Sequence, residues 1–275
     1  MNPSTVKERR IPLTAMFGLT VIAMFCLMAL FAPLIAPYSE TQIVGAEFAP
    51  WGGEFILGTD NLGRDMATRL IFGARNTIGI AVVTTVLAFL VGGLLGMVAG
   101  TLRGWVDQVL GRTVDILMAV PSLIFTMLLL SIFGTSIASM IIVIAAVEST
   151  RIFRLARSLA LGIGVLDYVE AAKLRGEGLG WLIAREILPN AVAPLIAEFG
   201  LRFCFVFLFI ASLSFLGLGI QPPTADWGSM VRENAALITY GDITPLLPAG
   251  ATALLTVAVN FVVDWMLHRS SGLKD

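Results

Sequence analysis

Four ionisable residues lie within or near otherwise apolar stretches: Glu148, Glu198, Arg202 and Asp264. A charge at the centre of a bilayer costs roughly 2.5–3.5 kcal/mol on insertion scales, so these side chains must face protein or a polar pathway rather than lipid. Glu198 and Arg202 stand four residues apart, a spacing that lets them pair along one helix. Two chemistries are open to the set. One is an intramembrane ion pair between Glu198 and Arg202 that satisfies buried charge. The other is a polar pathway, or a proton relay through Glu148, Glu198 and Asp264, as a stand-alone proton-coupled carrier would use. Glu148 lies one turn from Arg151 and can pair with it, and Asp264 falls near the end of the last apolar run.

Other reactive chemistry is poorly supplied. The chain has one histidine, His268, and two cysteines, Cys26 and Cys204, both inside apolar runs. This excludes three-histidine and HExxH zinc sites and argues against a disulfide framework or a cysteine metal site. No GxxxxGK[ST] occurs, so the chain carries no P-loop and cannot hydrolyse ATP by that route. Neither a Ser/His pair nor a pair of intramembrane aspartates is present to suggest an intramembrane enzyme. No catalytic residue, metal ligand or cofactor of its own is expected.

The elements that must hold these charges are apolar segments of membrane length. Of 275 residues, 57% are hydrophobic and only 13% charged, against about a quarter charged in soluble domains. A span needs about 20 apolar residues. The sequence predicts an all-α polytopic protein with six spans at 11–35, 76–102, 113–133, 137–157, 191–219 and 245–266. The first is too long for a signal-peptide core and is read as an uncleaved helix ended by Pro33 and Pro37. Gly134, Thr135 and Ser136 supply the turn that divides an overlong apolar run into the third and fourth spans. Ala88, Gly92, Gly96 and Gly100, each four apart, mark a helix face that another backbone can approach closely.

Lysine and arginine set the orientation. With the N-terminal 1–10 inside, the inner flanks hold Lys7, Arg9, Arg10, Arg103, Arg112, Arg151, Arg154, Arg157, Lys173, Arg175, Arg185, Arg269 and Lys274, thirteen in all. The outer segments, 36–75 and 220–244, hold only Arg64, Arg69, Arg75 and Arg232. Both termini, 1–10 and 267–275, and the loop 158–190 are therefore expected in the cytoplasm.

That loop is the one long polar interruption between inner spans. Val165, Tyr168, Val169 and Ala172 fall on one helical stripe, and Gly176, Gly178 and Gly180 permit a tight reversal. LGWLIAREILP then reads as a second short helix ending before Pro189. The charges nearly balance, with Asp167, Glu170, Glu177 and Glu186 against Lys173, Arg175 and Arg185. Such a hairpin suits docking to a protein better than lying on anionic lipid.

The pattern Glu170-Ala171-Ala172, Gly176, Leu188-Pro189 resembles the EAA loop of ABC-importer permeases. One position departs: an isoleucine common two places before the leucine is Glu186 here, with Ile187 beside it. GTDNLGRDMATRLIFGAR, AVPSLIF, SFLGLGIQPPTADWGSM and NFVVDWM are similar to the second permease of dipeptide, oligopeptide and nickel importers. The closing VVDWMLHRSSGLKD departs from the ending usual there. The resemblance implies a type I ABC importer permease fold in a bacterial inner membrane, and a peptide or peptide-like solute as cargo. It also implies partners: a second homologous permease, two ATP-binding subunits that hold the ATP, and a substrate-binding protein outside. Glu170, Ala171, Ala172, Gly176, Leu188 and Pro189 would then lie at the ATPase contact. By their spacing, Asp60, Arg64, Asp65 and Arg69 are expected to pair within a helix or to meet the binding protein, and Asp226 is expected to cap a short helix over WGSMVREN.

Overall fold

The computed structural model describes residues 11–270, which form helices and loops with no strand among them. Of the expected inner termini, 1–10 and 267–275, the whole of the first and 271–275 of the second, with Lys7, Arg9, Arg10 and Lys274, lie outside the described residues. Helix α1 (Leu13–Leu30) is followed by a single turn, α2 (Ala32–Ile35), with a break at Phe31. After an irregular segment comes α3 (Met66–Leu102), 37 residues long. At 1.5 Å per residue this is about 55 Å, well beyond the roughly 30 Å hydrocarbon core, so α3 projects past the apolar run at 76–102. It starts at Met66 because the Asp65 carboxylate caps it, accepting from the Thr68 N–H at 2.7 Å.

The segment expected as one helix at 113–133 is two: α4 (Gly104–Met118) and α5 (Ser122–Phe133), bent by 89°. Pro121 is the cause. It has no N–H to continue α4, and its ring disfavours helical geometry at the preceding residue. At its other end α4 is set off from α3 by Arg103 and Gly104, both at positive φ. Helix α6 (Ile137–Ile163) is capped by Ser136 and runs past the expected 137–157. Among the described residues four helices are long and apolar enough to cross a membrane, and a fifth is counted if the bent α4–α5 pair is one span. α6, with Glu148, Arg151, Arg154 and Arg157 in its length, is not among them.

Helix α6 lies along α3, and the two run parallel. Gly92, Gly96 and Gly100 of α3 meet successive turns of α6 at the carbonyls of Ser149, Phe153 and Arg157. A Cβ on Gly96 would stand 2.9 Å from the Ala156 methyl, which explains why the ridge is built of the smallest residue. Beyond the hairpin come α9 (Leu188–Phe215), the short α10 (Trp227–Asn234) and α11 (Leu246–Ser270). α11 packs on α1 and α9. The core centres on Trp227 of α10, fully buried with Phe25 edge-on at 5.4 Å and Phe207 at 6.0 Å between ring centroids. Its indole N–H donates to the Leu70 carbonyl.

Candidate functional site

Between α6 and α9 lies the hairpin. Its first arm, α7 (Asp167–Leu174), carries Asp167 and Glu170 in its first turn and Lys173 in its last, each matching the helix dipole. Val169 and Ala172 are buried against Leu182 and Ile163, which fixes the arm to the end of α6. Val165 and Tyr168, on the same apolar stripe of the sequence, are 60% and 41% exposed. The arm stops at Gly176, whose φ of +85° follows two hydrogen bonds, from Gly176 N–H to the Lys173 carbonyl and from Glu177 N–H to the Ala172 carbonyl. This pair is the Schellman arrangement, and it requires the left-handed backbone that glycine adopts freely.

The second arm differs from expectation. It starts as α8 (Leu179–Trp181), widens into a π-helical segment, Leu182–Ile187, and continues without a stop into α9. Pro189 therefore does not end a helix; it sits in the first turn of α9. The π segment immediately before it explains why. In a regular α-turn the proline ring would strike the carbonyl four residues back, and a wider turn relieves that clash. Ile187 is fully buried, while Glu186 stays partly exposed and its carbonyl accepts from the Asn190 side chain at 2.6 Å. Of the residues placed at the ATPase contact by resemblance, Glu170, Ala171, Gly176, Leu188 and Pro189 are exposed on the hairpin and Ala172 is inside it. Leu174, 84% exposed, extends the same surface and was not singled out from the sequence.

Above the hairpin the charges of α6 and α9 meet. Arg202 of α9 contacts Glu198 of its own helix at 2.6 Å and Glu148 of α6 at 3.4 Å. The Arg202 guanidinium also stands 4.7 Å over the Phe205 ring. Glu148 is buried and reaches Arg151 only at 3.9 Å, so its nearer partner is on another helix. Asp264 stands apart from this set, exposed on α11. The three carboxylates thus do not line up as a relay: two share one arginine. Further along α9, an apolar cleft of about 460 Å³ opens between α9, α10 and α11, with Leu208, Ser212, Phe215 and Thr252 in its wall.

At the end of the bundle away from the hairpin, a second charge cluster is nearly closed to solvent. Asp60 Oδ2 lies 2.7 Å from Arg64 Nε and 3.2 Å from Arg69 Nε, and Glu233 of α10 lies 3.3 and 3.1 Å from the same two arginines. The expected pairing of Asp65 with Arg69 does not form, because Asp65 is committed to capping α3. Asp226 caps α10 by accepting from Ser229 N–H at 2.8 Å and also accepts from the Thr77 hydroxyl. Burial pushes the Asp226 carboxyl up from its ordinary range, and the donors Ser229 and Thr77 pull against that. Among the described residues no group of histidine, cysteine or carboxylate side chains could hold a metal ion.

The described residues thus form a helical bundle of several long apolar helices with a structured loop between two of them. The family model described as "binding-protein-dependent transport system inner membrane component" matches residues 92–271, and that of the N-terminal transmembrane domain of oligopeptide transport permease C matches 14–50. The chain belongs to the binding-protein-dependent permease family: it is a multi-pass inner-membrane permease of an ABC importer, with no ATPase site of its own. A di/tripeptide transport system permease of Pseudomonas aeruginosa is 38% identical, over 95% of this chain and 86% of its own length. A dipeptide transport system permease of Alkalihalophilus pseudofirmus is 34% identical over 95% and 84% respectively. A putative peptide transport permease of Brucella suis is 34% identical over the whole of this chain and 91% of its own. Membership implies ATP-hydrolysing, substrate-binding and second permease partners.

Proposed function

We propose that this chain forms half of a translocation pathway for peptides or a peptide-like solute, pairing with a second, different permease and with two ATP-binding subunits. The relatives named as peptide permeases support the cargo class. In this reading six segments cross the membrane, α6 included, and both termini and the hairpin face the cytoplasm, as the lysine and arginine distribution requires. The charges of α6 that count against a lipid-facing span are in part met within the bundle, Glu148 by Arg202 and Arg157 by Asp107.

The observation that carries the coupling role is the construction of the hairpin. Its inner face is locked by Val169, Ala172 and Leu182, while Glu170, Ala171 and Leu174 are left outward. Its second arm is continuous with α9. A force applied to Glu170, Ala171, Gly176, Leu188 or Pro189 by a closing ATPase pair therefore tilts α9 rather than deforming a loop. α9 carries Glu198, Arg202, Phe205, Leu208, Ser212 and Phe215 along one broad stripe, and the pathway runs over that stripe. The test is uptake and ATPase activity of the reconstituted complex with Glu170→Arg. Assembly should persist and ligand-stimulated hydrolysis should fail to drive uptake; normal uptake would remove the hairpin from the mechanism.

A further inference from the structure

The cleft between α4 and α6, about 230 Å³ in volume, has a different chemistry from the pathway. Its charged lining is Asp107, Arg112, Asp115, Arg154 and Arg157. Three arginines against two aspartates leave one net positive charge. Arg157 is already engaged, holding Asp107 through two nitrogens, Nη2 to Oδ2 at 2.7 Å. Among the described residues neither Arg112 nor Arg154 forms an ion pair, and the polar contact of Arg154 is Nη1 to the Met118 sulfur at 3.8 Å. Two exposed guanidiniums without a carboxylate partner, lining one cleft, can receive an anion.

Helix α4 says which kind. It turns 89° from the apolar α5, so as one bent span the pair sets α4 oblique to the membrane normal, with its first turns near the surface. Trp105, Val109 and Ile116 share one face and are 75%, 55% and 71% exposed, more apolar surface than water tolerates well on so short a helix. Arg112, seven residues after Trp105, falls at the border between that face and the cleft. Apolar side chains at acyl depth with arginines at headgroup height is how interfacial helices meet anionic lipid.

We propose that the α4–α6 cleft binds the phosphate of an anionic phospholipid headgroup, with Arg112 and Arg154 as its ligands and the apolar face of α4 against the acyl chains. This rests on the cytoplasmic placement of the hairpin end argued above.

The test uses the full chain purified with its co-expressed partner subunits, in nanodiscs of phosphatidylcholine with or without phosphatidylglycerol. Retained lipid is counted by mass spectrometry after a delipidating wash. The parent complex should retain phosphatidylglycerol, and Arg112→Gln with Arg154→Gln should retain roughly 30-fold less, from the loss of two arginines near an anionic headgroup. Arg75→Gln, at the opposite end, should change nothing. Arg112→Lys with Arg154→Lys should recover most of the retention, which separates loss of charge from loss of fold. Equal retention in parent and glutamine variant overturns the proposal. So does stabilisation by inorganic phosphate alone with no retained lipid, which makes the site one for a free anion. A photo-cross-linker at Gly111 that captures a partner subunit and no lipid also overturns it. Normal lipid retention in a complex that shows no ATP-dependent uptake would count against the permease mechanism and leave the lipid site standing.

Discussion

Arg202 of α9 reaches across to Glu148 of α6 at 3.4 Å while holding Glu198, one turn away on its own helix, at 2.6 Å. The three side chains bridge the helix entering the hairpin and the helix leaving it. Removing the arginine strands two carboxylates in a poorly solvated position. Arg202→Met should therefore destabilise the bundle by about 3 kcal/mol, the usual scale for breaking one side of a buried pair. A lower melting temperature of the detergent-solubilised complex would report it, and adding Glu148→Gln should restore part of the loss. Melting unchanged from the parent would mean the cluster contributes nothing to stability.

The hairpin turn depends on one backbone conformation. Gly176 has φ +85° and no atom near enough to crowd a Cβ, so Gly176→Ala adds backbone strain of about 1–2 kcal/mol and no clash. The complex should assemble normally, with uptake reduced and basal ATP hydrolysis retained. Gly178→Ala is the control, since Gly178 has an ordinary φ of −75° and equally open surroundings. Equal effects of the two changes would show that the left-handed turn is not what matters.

The α3–α6 contact predicts a contrast between glycines of one helix. Gly96→Ala must push against the Phe153 carbonyl and the Ala156 methyl, an overpacking that costs about 1–3 kcal/mol. Gly79→Ala meets nothing within 4 Å and should be neutral or gain up to about 1 kcal/mol in helix propensity. The yield of folded protein and its melting temperature would separate them.

At the far end, Asp60→Asn withdraws the charge shared by Arg64 and Arg69, leaving both guanidiniums to Glu233. The segment before α3 should loosen by about 3 kcal/mol and be cut faster by limited proteolysis between residues 40 and 64. Digestion at the parent rate would show that the segment is held by other contacts, such as Trp51 to Thr244 and Glu40 to Asn76.

The long apolar helices were legible because hydropathy is a property of the segment itself. So were the Asp226 cap and the small-residue ridge, since both depend on neighbours in sequence. What the sequence hid was set by distant partners. By hydropathy the first turns of α3 fall in the outer segment 36–75 because Arg69 and Arg75 are charged, and Arg69 is accommodated there by Asp60 and by Glu233, 164 residues away. The right angle at Pro121 carried a visible signal, a proline inside an expected span, that hydropathy outweighed. Pro189 misled in the opposite direction: a proline usually stops a helix, and here the preceding turn widens instead. For the hairpin, the sequence pattern marked the outward Glu170, Ala171, Gly176, Leu188 and Pro189 together with the buried Ala172, but not Leu174, whose exposure follows from the burial of Val169 and Ala172 on the opposite side.

That widened turn has a consequence for rotational phase. A residue added to or removed from a helix turns everything after it by about 100°. The π segment Leu182–Ile187 is where this chain absorbs such an increment, directly between the exposed face of the hairpin and α9. The distance in residues from Gly176 to Pro189 thus works like the setting of a crankshaft. It fixes which side of α9 comes to face α6, and so whether Arg202 meets Glu148 at all. Deleting a single residue there would keep every motif residue but shorten their spacing by one, and swing the stripe that begins at Glu198 about a quarter-turn out of alignment.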